Sequence, residues 1–216
     1  MSRGPRARKR FGQHFLVDEG VLQRIADVIR LGPEDRLLEI GPGPGALTDY
    51  LYGEPARYVA VELDRDLVAP LRARFADLEL ISADILRVDL DEILEPPGWR
   101  LVGNLPYNIS SPLLLKLFRH LPRIKDMHFM FQRELGARIG ASPGSKNWGR
   151  LGVLTQYYCE VESLFDVPPE AFAPPPKVYS QVVRLLPRKE LAAVNLEAFN
   201  RVLQLAFSSR RKRIAN

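Results

Sequence analysis

Glu39-Ile40-Gly41-Pro42-Gly43-Pro44-Gly45 is the stretch on which the reading of the chain turns. Three glycines at alternate positions let the backbone bend tightly and let another molecule lie against it with no Cβ in the way. Residues 37–40 before it are short and apolar, and the residues after it have a helical period, so the bend joins a strand to a helix. The pattern recurs outward from there. Residues 58–61, 78–81, 101–102 and 127–131 are further apolar runs, each followed by a helical segment. Five such runs predict a doubly wound α/β sheet, mostly parallel. Upstream, Asp18 is placed to cap a helix carrying Val21, Leu22, Ile25, Val28 and Ile29, ended by Gly32 and Pro33. After the fourth run, Ser111 followed by Pro112 is expected to open the helix of Leu114, Leu117, Phe118 and Leu121.

Beyond residue 150 the pattern changes. Residues 161–167 and 181–186 look like strands joined by the proline-rich residues 168–176, with no room for a crossover helix, which predicts an antiparallel hairpin at one edge of a seven-stranded sheet. From Asn195 a helix bears Leu196, Phe199, Val202, Leu203, Ala206 and Phe207 on one stripe, with little in the sequence for it to pack on. Three regions result: a basic arm at 1–17, an α/β domain at 18–187 and a terminal helix within 188–216.

The 216 residues, 46% hydrophobic and 26% charged, are enough for one main core without disulfides or metal. One cysteine and three scattered histidines argue against a zinc site and fit a reducing compartment, so the cytoplasm is expected. No apolar run reaches the ~20 residues of a membrane span. Nothing apolar and periodic asks for a second subunit, and a monomer is expected. The charge is unevenly spread. Of 31 Lys and Arg, nine fall within residues 1–10 and 210–213, leaving 22 against 26 acids in the body. A mildly acidic body with basic ends suits a polyanion held at the margins, or a soluble protein with basic tails.

Glu62 follows the second strand, 23 residues after Glu39. There a carboxylate can accept both hydroxyls of a nucleoside ribose. The glycines run GxGxG rather than GxGxxG and no phosphate-cradling loop is present, so the ligand favoured is a nucleoside without phosphates, S-adenosylmethionine. Asp84, after the third strand, is placed to accept from its adenine amino group. Surface charge at strand ends is the plainer account of each acid alone. The fourth strand ends in Asn104-Leu105-Pro106-Tyr107. The Asn104 side-chain oxygen and the Leu105 carbonyl leading into Pro106 are two acceptors for the hydrogens of an exocyclic amine, freeing its lone pair for methylation, while Tyr107 can stack on an extruded base. A proline turn after a strand is the alternative.

These runs, with Lys9-Arg10-Phe11-Gly12-Gln13-His14-Phe15-Leu16, Val61-Glu62-Leu63-Asp64, Asn108-Ile109-Ser110 and Phe172-Ala173-Pro174-Pro175-Pro176-Lys177-Val178-Tyr179-Ser180, resemble in order the motifs of the ribosomal RNA adenine dimethylases, and most closely their small-subunit branch. The likeness covers nearly the whole chain. It implies a Rossmann-like methyltransferase that dimethylates two adjacent adenosines in a hairpin loop near the 3′ end of small-subunit ribosomal RNA, within an immature 30S particle. It implies a cofactor site of His14, Leu16, Gly41, Gly43, Glu62, Asp84 and Asn104. Asn104, Leu105, Pro106 and Tyr107 would hold the target base, and Phe172 would be either its second stacking face or a core residue. Arg8, Lys9, Arg10, Arg210, Arg211 and Lys212 would contact RNA, and no metal is implied. Two departures stand out. The family usually has Asn where His14 stands, and its members continue past residue 212 into a small helical RNA-gripping domain, so a truncated form is expected. The competing readings are a large-subunit or DNA adenine methyltransferase and a non-catalytic RNA-binding assembly factor.

RNA affinity should fall steeply with salt, because each phosphate neutralised releases counterions. Deleting residues 1–10 should flatten the plot of log affinity against log salt, as measured by filter binding.

Overall fold

The computed structural model describes residues 13–106 and 108–208. Seven strands form its main sheet. The strands β2 (Arg36–Ile40), β3 (Arg57–Glu62), β4 (Glu79–Ser82), β5 (Trp99–Asn104) and β6 (Ile124–Gln132) run parallel. β9 (Ser180–Pro187) lies antiparallel against β6, and β7 (Cys159–Val167) closes the edge antiparallel to β9. The lateral order is β4-β3-β2-β5-β6-β9-β7. All seven predicted strands are present. The hairpin is inserted with its second strand inward, because β9 carries the apolar Val182, Val183 and Leu185 that a central position needs, whereas β7 is half exposed.

The parallel strands are buried on both faces, so their side chains are apolar at successive positions rather than alternate ones. Leu38, Ile40, Leu101, Met127 and Phe129 pack against α5 (Ser110–Leu117) on one face. Leu37, Ala60, Val102 and Met130 face α1 (Glu19–Ile29) and α3 (Arg65–Arg74) on the other. Asp18 caps α1 as expected, accepting from the Val21 N–H at 2.9 Å. A buried ion cluster ties the end of α1 to the sheet. Arg100 donates twice to Asp126, at 2.9 and 2.8 Å, once to Asp35 at 3.1 Å and once to the Arg30 carbonyl at 2.9 Å. Burial alone would raise Asp126, but contact with His128 and the bonds from Arg100 hold its carboxyl at about 2.

The chain leaves β2, builds β3 and β4 to one side, then returns to place β5 on the other side of β2. The carboxyl ends of β2 and β5 therefore flank the point where strand order reverses, the crevice in which open α/β sheets hold ligands. Close approach of these strands depends on Gly103. A Cβ there would come 2.6 Å from the Ile40 carbonyl oxygen.

Three local expectations need correction. Ser111 does not cap α5: the helix begins two residues earlier, after Ile109, and Ser110 sends its hydroxyl back to the Pro106 carbonyl at 3.1 Å. Residues 168–176 are more than a link, because β8 (Phe172–Ala173) pairs antiparallel with β1 (Phe15–Leu16) in a separate two-stranded sheet. The terminal helix, α8 (Leu196–Ser208), does find a partner. Leu203 is buried in the main core, and Phe199 lies 5.0 Å from the Tyr157 ring on α7 (Arg150–Tyr158). Among the described residues, no helix is long and apolar enough to cross a membrane, and no group of His, Cys, Asp and Glu is placed to hold a metal.

Gly103→Ala should cost about 1–3 kcal/mol, the usual range for overpacking. The urea midpoint should drop at unchanged slope. An unchanged midpoint would show that β2 and β5 can part without loss.

Candidate cofactor and base site

The glycine bend leaves β2 with all three glycines at positive φ: 70° at Gly41, 60° at Gly43 and 87° at Gly45. Side chains rarely adopt that conformation. At Gly45 a Cβ would also come 2.8 Å from the Phe75 ring and 3.0 Å from Leu71, so this residue sets the seat of the bend on α3. At Gly41 a Cβ would point into open space. That space belongs to the hollow where a ligand would rest on the backbone.

Glu62, at the end of β3, is 4% exposed. Its Oε2 accepts from the Gly43 N–H at 3.0 Å and its Oε1 from the Asp64 N–H at 2.7 Å. One carboxylate thus fastens the glycine bend to the turn after β3. Burial pushes its pKa up, against the pull of those backbone bonds. Each oxygen retains a lone-pair direction for a further donor.

Asn104 ends β5. Its Nδ2 donates to the His14 carbonyl at 3.0 Å. A carbonyl can only accept, so the amide's NH₂ must face His14 and its oxygen is turned away from that carbonyl. The segment supplying His14 crosses the top of the site. Gln13 Nε2 donates to Asp64 at 3.2 Å, the His14 ring donates from Nδ1 to the Pro174 carbonyl at 2.7 Å, and Phe15 and Leu16 form β1 against β8. The Phe15 ring lies 3.2 Å from where a Cβ on Gly43 would be.

Two hollows of about 100 and 90 Å³ share Gln13, Gly41, Glu62 and Pro106 as walls. The second is bounded by Asp84, whose Oδ1 accepts from the Leu86 N–H at 2.9 Å, with Ile85 and Ile109 as apolar walls. The first holds His14, Leu16, Gly43, Asn104 and Leu105, and runs inward under α1. The structure therefore brings together His14, Leu16, Gly41, Gly43, Glu62, Asp84, Asn104, Leu105 and Pro106. Phe172 lines neither hollow: it is 4% exposed and packs in the same core cluster as Leu16. Tyr107, Arg8, Lys9, Arg10, Arg210, Arg211 and Lys212 lie outside the described residues.

Among the lining residues not foreseen as site groups, two are ionisable and buried. Glu39, inside β2 and 2% exposed, takes hydrogen bonds on Oε2 from Thr48 at 2.7 Å and Tyr58 at 2.6 Å. Burial raises its carboxyl to about 7 despite both bonds. His128 lies within β6. The signal for each was a charged or polar residue inside an otherwise apolar strand run.

The chain matches the family described as "Ribosomal RNA adenine dimethylase" over residues 4–216. It is 50% identical to the ribosomal RNA small subunit methyltransferase A of Pseudomonas syringae pv. tomato, over 98% of this chain and 81% of that protein. It is 51% identical to the protein of the same name from Nitrosococcus oceani, over 99% and 83%. Among solved structures it resembles a dimethyladenosine transferase from Plasmodium falciparum, with a TM-score of 0.83 and 30% identity over 93% of this chain and 73% of that one. The 23S rRNA methyltransferase ErmE gives a TM-score of 0.77 at 30% identity, over 93% and 81%.

Glu39 yields a pH prediction. Its carboxyl moves from 4.5 to about 7 on folding, so between those values the folded chain keeps a proton that the unfolded chain releases. Stability must therefore fall as pH rises through this window, by roughly 3 kcal/mol in all from this group. Glu39→Gln, which keeps an acceptor for Thr48 and Tyr58, should flatten that dependence in urea titrations between pH 5 and 8.

Proposed function

The chain belongs to the ribosomal RNA adenine dimethylase family, and on that footing we propose that it transfers methyl groups from S-adenosylmethionine to N6 of two adjacent adenosines in the hairpin loop near the 3′ end of small-subunit ribosomal RNA. The observation carrying the proposal is the Asn104 amide, fixed by the His14 carbonyl at the mouth of a hollow shared with Glu62 and the glycine bend. The bound cofactor supplies an electrophilic sulfonium methyl. The remaining work falls to the protein's own groups.

Glu62 accepts the ribose hydroxyls with the lone pairs not used by Gly43 and Asp64, and Asp84 accepts from the adenine amino group. Gly41 and Gly43 let the ligand touch the backbone. On the substrate side, the Asn104 side-chain oxygen and the Leu105 carbonyl accept the two hydrogens of the target amine. Those bonds strengthen as positive charge develops on the nitrogen, so they favour the transition state over the bound substrate. Tyr107 provides the stacking face for the base. His14 takes the place of the family's usual Asn and spends its Nδ1–H on Pro174, so its part is to anchor the strap over the site.

Arg8, Lys9, Arg10, Arg210, Arg211 and Lys212 serve as phosphate contacts. Residues 188–216 begin a C-terminal RNA-gripping unit on the α/β domain. The setting is the cytoplasm, the substrate an immature 30S particle and the acting form a monomer.

Asn104→Ala should lower turnover by about 10²-fold or more while leaving S-adenosylhomocysteine affinity by calorimetry within about threefold. Equal losses in both would remove Asn104 from the transition state. Radiolabelled methyl should enter immature small subunits; incorporation into free large-subunit RNA or duplex DNA alone would replace the substrate assignment.

A further inference from the structure

Among the described residues, His128 and Glu39 are buried ionisable side chains that line the first hollow and to which the methyl transfer assigns no work. His128 stands in β6, two residues inside the strand end that carries Met130 beside Asn104. Its side chain is 1% exposed. Neither ring nitrogen has a hydrogen-bond partner among the described residues; Nδ1 lies 3.5 Å from Asp126 Oδ1, too far for a good bond. A buried polar group left unpaired costs about 1–3 kcal/mol, so an orphan imidazole in a hollow wall points to something the hollow is built to receive.

Sheet register shows what that is. Glu39 pairs with Val102, Val102 with His128 and His128 with Arg184, so the four lie in one row across the sheet on the α1 face. Glu39 and His128 line the hollow from either side of Val102, with Cα atoms about 10 Å apart by strand spacing. Above them Leu22 and Ile25 of α1 form an apolar roof. At the Glu39 end the row offers an acceptor. At the His128 end the imidazole is without a partner among the described residues, while Arg184, which does not line the hollow, sets its Nη1 3.6 Å from Glu162. The charges facing the imidazole are Asp126 on its own strand, Arg184 on β9 and Glu39 along the row, with Arg100 taken up by Asp126 and Asp35. A ligand matched to this row carries a cationic and an anionic group a few ångströms apart on a short aliphatic stem. That is the head of an α-amino acid.

We propose that His128 is the carboxylate-binding residue for the amino-acid arm of the cofactor, donating from Nε2 into the deep end of the first hollow. The proposal rests on the S-adenosylmethionine reading and adds a specificity determinant to it. With Nδ1 turned to Asp126, Nε2 is the ring nitrogen left to face a ligand. A nucleoside thioether lacking the amino-acid head has nothing to offer it.

The test compares S-adenosylhomocysteine with 5′-methylthioadenosine, which keeps the nucleoside and sulfur but has no amino-acid head, by calorimetry on the full chain. His128→Leu should weaken S-adenosylhomocysteine by about tenfold or more, the equivalent of one charge-assisted hydrogen bond, and leave methylthioadenosine within about twofold. His128→Gln, which retains a donor, should restore most of the difference. Equal loss for both ligands, or none for either, would overturn the assignment. Nitrogen NMR of the wild-type histidines gives a reading independent of folding in the variants: the His128 ring signals should move with S-adenosylhomocysteine and stay in place with methylthioadenosine, and movement with both or neither would equally overturn it. If the wild type bound neither ligand, the cofactor reading itself would fall, an outcome distinct from binding both without discrimination at His128.

Discussion

A carboxylate buried away from water must be supplied with protons by the fold around it, and the site is organised by how Glu62 meets that demand. Its two oxygens take the backbone N–H groups of Gly43 and Asp64, so the bend after β2 and the turn after β3 are fixed to one group. Neither turn can shift without leaving a buried charge unpaired, a penalty larger than either hydrogen bond alone is worth. Charge and geometry are set together. The carboxylate that would select a ribose also holds the floor on which the ribose would lie.

Topology supplies the other half. Because strand order reverses between β2 and β5, the glycine bend and the Asn104 turn emerge side by side. Gly103 lets those strands run closer than a side chain would permit. The strap at residues 13–16 is then laid across both, touching Asp64, Asn104 and Pro174 by hydrogen bonds and Gly43 through the Phe15 ring. The two hollows thus share walls, as the sites of a group transfer between two bound molecules would need to.

Much of this was legible in the sequence. The five parallel strands showed as apolar runs between helical segments because a strand buried on both faces leaves a continuous local signature. The glycine bend and Glu62 showed because strand ends bring such residues to the crevice at fixed intervals. What stayed hidden depended on long-range contact. The pairing of Phe15 and Leu16 with Phe172 and Ala173 joins residues over 150 positions apart in two-residue strands, too short for any period to register. That pairing decides the place of Phe172 in the core. Ser111 misled because Ser before Pro is a sound capping signal, but a helix can start two residues earlier when the preceding turn offers another bond, here from Ser110 to Pro106. The packing of α8 was unreadable because its ring partner Tyr157 stands on a helix whose own position is set by the rest of the sheet. Glu39 and His128 were visible as letters, but nothing local says that two polar residues on different strands share a row.

The bond from Asn104 to the His14 carbonyl has a consequence for timing. The strap that closes the site also orients the amide meant to grip the target amine. Lifting the strap to trade spent cofactor for fresh necessarily releases that amide from its orienting partner. On the proposed reading, a site whose strap was displaced would lack that orientation of the amide. For the activity proposed, closure over the methyl donor and readiness to receive the target base would then come together.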